Sequence, residues 1–128
     1  MTEQAKKVAL VEDDPLMSGI LATQLISKQF QVISMNDGTK AFERIKAEQP
    51  DIVLLDIILP GVSGFDILDQ LKRDESTRAI PVLVLSNLGS REDIQRGISL
   101  GAEGYLVKAN NMVEDIVKKV GAILDKPH

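Results

Sequence analysis

The chain has 128 residues, 44% of them hydrophobic and 27% charged, with a formal net charge of −4. That length fits one domain (1–128, core about 6–124), and an acidic chain with no Lys/Arg cluster denser than a pair argues against direct nucleic-acid binding. Cysteine is absent, which excludes disulfides and thiolate sites, and neither a membrane-length apolar run nor a signal peptide is visible, so a cytoplasmic protein with no membrane partner is expected.

Val8–Val11 reads as a short buried strand. Asp14 then caps a helix that has Pro15 at its first position, with Leu16, Met17, Ile20, Leu21 and Leu25 at helical spacing. A weaker strand, Gln31–Ser34, runs to the turn signal Asn36-Asp37-Gly38. Ala41, Phe42 and Ile45 mark a helix that stops before Pro50, and Ile52–Leu55 is a second buried strand that ends on Asp56. Ser63 caps a helix carrying Phe65, Leu68 and Leu71. Pro81–Leu85 is a third buried strand, ending at Ser86. Ser90 with Asp93 resembles a capping box for a helix that stops at Gly101. Gly104–Val107 is the last strand, ending at Lys108, and Val113, Ile116, Val117, Val120 and Leu124 form the apolar stripe of a closing helix.

Five β-α units in a row, with strands lacking polar alternation, predict an α/β fold in which a parallel sheet lies between two layers of helices. Function in such sheets collects at the carboxyl ends of the strands. There the sequence places Glu12, Asp13 and Asp14, then Asp56, then Ser86, then Lys108. Taken singly, each has a plain reading: a helix cap for Asp14, a solvated turn for Glu12 and Asp13, a strand-end cap for Ser86, a solvated lysine for Lys108, an edge aromatic for Tyr105. Taken together they converge on one site. Three carboxylates on neighbouring strand ends raise one another's pKa values unless a cation neutralises them. A donor set of oxygens alone suits Mg²⁺ ahead of Zn²⁺ or Cu²⁺, with Mn²⁺ able to substitute. Ser86 and Lys108 supply the donor and the charge that phosphoryl oxygens need, and an aspartate such as Asp56 is a competent phosphoryl acceptor.

At these residues the chain resembles a response-regulator receiver domain of two-component signalling. The resemblance rests on the Glu12-Asp13 pair, "LLDIILPGVSG" around Asp56, Ser86, "GAEGYLVK" with Tyr105 and Lys108, and the intervals between them, and covers about Lys6 to Leu124. It implies a doubly wound (βα)5 flavodoxin-like fold with strand order 2-1-3-4-5, an arrangement for which a chemotaxis receiver is a standard example. It implies phosphorylation of Asp56 by a histidine kinase or histidine phosphotransfer protein. Mg²⁺ would be held by Asp13, Asp56 and the Ile58 backbone carbonyl, with Glu12 acting through water. Ser86 and Lys108 would bind the phosphoryl oxygens, and Tyr105 would rotate inward once Ser86 moved. The face made by the fourth helix, fifth strand and fifth helix would then meet an output protein or domain, or a second copy.

The only histidine, His128, is the last residue, so the phosphate is expected from another protein or a small acyl phosphate. With no output domain after the closing helix, a free-standing regulator and the receiver of a DNA-binding regulator or hybrid kinase are both open. Three features depart from the family pattern. Lys108 is followed by Ala109 where proline is usual, Asn87 stands where a small residue is common, and the apolar Ile58 and Leu88 flank the site. Asn87 is expected to restrict access, and Ile58 with Leu88 to hinder the attacking water. A flavodoxin would need a Ser/Thr/Gly-rich phosphate loop where this chain has "EDDP". A haloacid-dehalogenase-type phosphatase resembles D-x-D after its nucleophile strand, whereas Asp56 precedes Ile57 and Ile58. A pseudo-receiver scaffold that never takes phosphate is the remaining alternative, with Ala109 in its favour.

Overall fold

A computed structural model describes residues 5–126, which leaves His128 outside the described residues. The strands are β1 (Lys7–Val11), β2 (Gln31–Met35), β3 (Ile52–Leu55), β4 (Val82–Ser86) and β5 (Gly104–Val107). The helices are α1 (Pro15–Ser27), α2 (Ala41–Glu48), α3 (Gly64–Arg73), α4 (Arg91–Ser99) and α5 (Val113–Leu124). All strand pairs are parallel and the order is β2-β1-β3-β4-β5, as expected from the resemblance.

Because successive strand residues point to opposite faces, each central strand feeds two separate cores. Ala9, Val11, Val53, Leu55, Val82 and Val84 pack with Ala41 and Ile45 of α2 and with Phe65, Leu68 and Leu71 of α3. Val8, Leu10, Ile52, Leu54, Leu83 and Leu85 pack with Leu21 and Leu25 of α1 and with Ile116 and Val120 of α5. This two-sided burial is why the strands read as unbroken apolar runs. β5 is an edge strand, and all four of its residues are only half-buried.

Several expected boundaries are met and others shift by a residue. The Asp14 side chain accepts from the Leu16 N–H and Pro15 opens α1. Ser90 caps α4 by accepting from the Asp93 N–H, but the reciprocal half of the expected capping box differs: the Asp93 carboxylate accepts from the Ser90 hydroxyl, not from its backbone N–H. Gly101, at φ +110°, follows the end of α4. β4 starts at Val82 because Pro81 has no N–H to give; its carbonyl still accepts from the Val53 N–H at 3.0 Å. β1 begins one residue early, where the Lys7 N–H donates to Asp51.

Asp74, the cap residue after α3, ties that helix to α2 in the same layer. One carboxylate oxygen accepts from both the N–H and the hydroxyl of Ser76, and the other meets the Lys46 ammonium of α2 at 2.9 Å. The Ser76 hydroxyl and the Lys46 ammonium hold its carboxyl down at about 2, below an ordinary 3.8. A depressed acid stabilises the fold above its unfolded value and ceases to as pH falls through its folded one. Urea titrations across about pH 4 to pH 2 should show wild type losing a stability increment that Asp74→Asn lacks throughout.

Candidate functional site

The backbone ladder continues past the strand ends, with the Glu12 N–H donating to Met35 and the Asp56 N–H to Val11. This fixes both acids at the carboxyl edge of adjacent strands. Asp56 is 5% exposed and Glu12 is 2% exposed, whereas Asp13 stands open to solvent. One oxygen from each of the three lies within 4.8 Å of the others. They line a cleft of about 230 Å³ together with Asp14, Ile58, Asn87 and Lys108.

Each buried acid is held by identifiable groups. Asp56 Oδ1 accepts from the N–H groups of Ile57 at 2.7 Å and Ile58 at 3.3 Å. Asp56 Oδ2 accepts from Lys108 Nζ at 2.8 Å. Glu12 Oε2 accepts from the Asp14 N–H at 3.1 Å, so the residue that caps α1 also fixes the carboxylate two places before it. Lys108 Nζ also pairs with Glu12 Oε1 at 2.6 Å, so one ammonium bridges the two buried acids. Burial pushes the Glu12 carboxyl above its ordinary value, with Lys108 and the Asp14 N–H pulling the other way. For Lys108, burial disfavours the ammonium, but the bonds to Asp56 and Glu12 outweigh it and hold the pKa above the usual lysine value. The site is an anionic cleft with a fixed cation on one wall.

Lys108 opens a short 3₁₀ turn, Lys108–Asn110, and the Lys108–Ala109 peptide is trans. The missing proline therefore does not prevent the lysine from reaching Asp56. Ile58 is 57% exposed and Asn87 is exposed, both at the mouth of the cleft. Leu88 sits to one side, lining a neighbouring hollow with Ile57, Ile58 and Phe65.

Ser86 and Tyr105 are not in the cleft. Ser86 is fully buried, its hydroxyl oxygen accepting from the Leu88 N–H at 3.3 Å. Tyr105 already points inward: its hydroxyl donates to the Leu88 carbonyl at 2.6 Å and its ring packs against the α2–α3 core. Burial raises its phenol pKa, which keeps that proton in place as a donor. The inward seat expected of the ring once Ser86 moves is the one it occupies here.

Residues 8–120 match the family described as the response regulator receiver domain. The chain belongs to that family. This receiver is 36% identical over 118 residues to the DNA-binding dual master transcriptional regulator RpaA of Synechocystis, covering 92% of this chain and 48% of that one. It is 33% identical over 120 residues to the phosphate regulon transcriptional regulatory protein PhoB of Escherichia coli K12, covering 94% and 52%. It therefore spans about half the length of these relatives. The BeF3-activated N-terminal receiver domain of Klebsiella pneumoniae RstA superposes with a TM-score of 0.85 at 29% identity, covering 94% of this receiver and all of that one. Vibrio cholerae CheY4, at 24% identity and a TM-score of 0.85 over 93% of this chain and 98% of that one, shares the fold. Receivers act as signalling switches rather than as classical enzymes, bind Mg²⁺ in an acidic pocket and work with histidine kinases. Membership removes the flavodoxin and haloacid-dehalogenase readings. Among the described residues no helix is long and apolar enough to cross a membrane.

Three participants escape a sequence reading. The Ile57 and Ile58 amides that hold Asp56 carry no side-chain signal. Gly64 opens α3 so close to Asp56 that an added Cβ would lie 2.2 Å from the Asp56 carbonyl oxygen. Gly97, inside α4, is the third. A glycine in a helix interior is unfavourable by about 1 kcal/mol against alanine, which flags a packing reason without naming it.

Proposed function

We propose that this receiver takes a phosphoryl group on Asp56 from a histidine kinase or histidine phosphotransfer protein and changes its α4-β5-α5 face in response. The observation that carries the reading is the nearly buried Asp56 carboxylate, flanked by Glu12 and Asp13 and touched by the Lys108 ammonium. In the transfer, a carboxylate oxygen of Asp56 forms a bond to phosphorus as the phosphorus–nitrogen bond to the donor imidazole breaks. The imidazole leaves with the electron pair. Lys108, already on Asp56 Oδ2, neutralises the incoming oxygens, and Ser86 turns from Leu88 to donate its hydroxyl to one of them.

The donor set fits a hard divalent cation, since three carboxylates gather within 4.8 Å while the Lys108 ammonium offsets the charge of only two of them. Mg²⁺, or Mn²⁺ in its place, would be held by Asp13, Asp56 and the Ile58 carbonyl, with Glu12 reached through water, and would offset the charge gathered on the phosphoryl group. The names and lengths of RpaA and PhoB favour a DNA-binding output over the other arrangements, with this domain (core about 6–124) as its regulatory half. The same face serves pairing of two copies.

Incubation with acetyl phosphate should label the protein at one group per chain when Mg²⁺ is present and at background when it is chelated. Absence of labelling in both would instead favour a scaffold that never takes phosphate. Ile58 and Leu88 put apolar bulk beside the site, and Asn87 narrows its mouth. Ile58→Asn with Leu88→Glu admits and orients water, so loss of label should accelerate by about tenfold. An unchanged decay rate would remove these residues from control of phosphate lifetime.

A further inference from the structure

α4 is anchored through very little side-chain bulk. Its only buried residue is Gly97, which lies against Tyr105 of β5. A Cβ built there would stand 2.8 Å from Tyr105 Cδ2 and 3.1 Å from Cε2, inside any normal carbon–carbon contact. The ring is not free to withdraw. Its hydroxyl is tied to the Leu88 carbonyl, and the Leu88 N–H is in turn tied to Ser86 at the end of β4. Behind the slot lies Phe65, 3.9 Å from the same hypothetical Cβ and capped by the Arg96 guanidinium 4.3 Å from its ring centre. The slot therefore has a wall on each side and no slack.

We infer that Gly97 is a positioning residue of the switch: by carrying no side chain it leaves Tyr105 its inward seat, and so biases Ser86 and the Leu88 turn towards the phosphoryl-binding arrangement. This rests on the phosphoryl-acceptance reading above. Tyr105 and Leu88 thus join the two ends of one chain of contacts, Gly97 on α4 and Ser86 on β4. By linkage, whatever displaces the ring must weaken phosphoryl-group binding by the same factor by which that binding favours the seated ring.

The protein offers a direct reporter, because it has one tyrosine and no tryptophan. Its ultraviolet fluorescence is that of Tyr105 alone. Alanine is the better helix former, so a purely structural glycine predicts that Gly97→Ala leaves the ring buried and ligand binding intact. The inference predicts the reverse. Acrylamide should quench the tyrosine of Gly97→Ala about twofold more strongly than that of wild type, and beryllofluoride with Mg²⁺ should bind about fivefold more weakly. In a Tyr105→Ala background the same Gly97→Ala change should alter beryllofluoride affinity by less than about twofold, since the clash is gone.

Equal quenching in wild type and Gly97→Ala overturns the inference, as does an affinity loss that persists without the tyrosine. If wild type itself bound no beryllofluoride, phosphoryl acceptance and the bias would both fall, while the quenching comparison would still decide whether Gly97 seats the ring.

Discussion

Asp56→Asn should leave a folded protein that takes no phosphoryl group from acetyl phosphate or from a phosphorylated kinase. The substitution preserves almost everything except the chemistry. The remaining amide oxygen can still accept from the Ile57 and Ile58 N–H groups, so the turn after β3 keeps its hydrogen bonds. What goes is the anionic oxygen now facing Lys108 Nζ, and an amide is no nucleophile at phosphorus. Lys108 keeps Glu12 as its ionic partner, and Glu12 loses a negative neighbour that helps to raise its pKa. Incorporated phosphate, read by radiolabel or intact mass, should fall to background while the unfolding midpoint in urea stays close to that of wild type. Label retained at a substantial fraction of the wild-type level would place the acceptor elsewhere.

Lys108→Met should destabilise the metal-free protein by about 3 kcal/mol near neutral pH. Methionine fills much of the space of the lysine stem without its charge. Glu12 and Asp56, 2% and 6% exposed in their side chains, would face each other with no cation between them. Removing one partner from a buried ion pair is expensive because the other charge is left in a poorly solvating place. Two rescues follow, each with a definite sign. Glu12 is already raised by burial, and losing Lys108 removes its strongest opposing influence, so it rises further. A carboxyl raised in the folded state stabilises the fold fully below its unfolded value, and that contribution is lost as pH rises through the folded one. The variant's deficit should therefore shrink as pH falls towards the ordinary carboxylate range. Millimolar Mg²⁺ should shrink it too, by returning positive charge to the same carboxylates. Denaturant curves in chelator, in Mg²⁺ and at reduced pH decide the matter. A variant as stable as wild type in chelator would mean that the two acids are not held apart by Lys108.

Reading the chain alone went furthest where local chemistry and position along a strand coincide. "IVLL" running into Asp56 and "VALV" into Glu12 signal a buried strand and its charged end in the same few residues. Ser90 with Asp93, and Asp14 with Pro15, state where helices begin, because a cap is a contact between near neighbours. What stayed hidden depends on residues far apart. Tyr105 sits inward because a glycine eight places earlier leaves room and a carbonyl 17 places earlier accepts its proton. Neither is marked in the sequence as belonging to the other. The one-residue slips at Lys7 and Pro81 are of a different kind, since a strand ends where its last backbone bond is made and side-chain pattern does not report that.

The alternation that divides the core also sorts the site. Counting along β1 and β3, Glu12 and Asp56 continue the rows of Val8 and Leu10 and of Ile52 and Leu54, which face α1 and α5, and Lys108 continues the row of Leu106. Ser86 continues the row of Val82 and Val84, and Tyr105 shares that side, facing the other layer. The sheet is in this sense a partition, with Glu12, Asp56 and Lys108 in line with one compartment and the moving parts with the other, and the two meet over its upper edge. Deleting a single residue within β3 would draw Asp56 back by about 3.3 Å and turn it into the wrong compartment. A change of chain length inside a strand is therefore ruinous even where no functional side chain is touched.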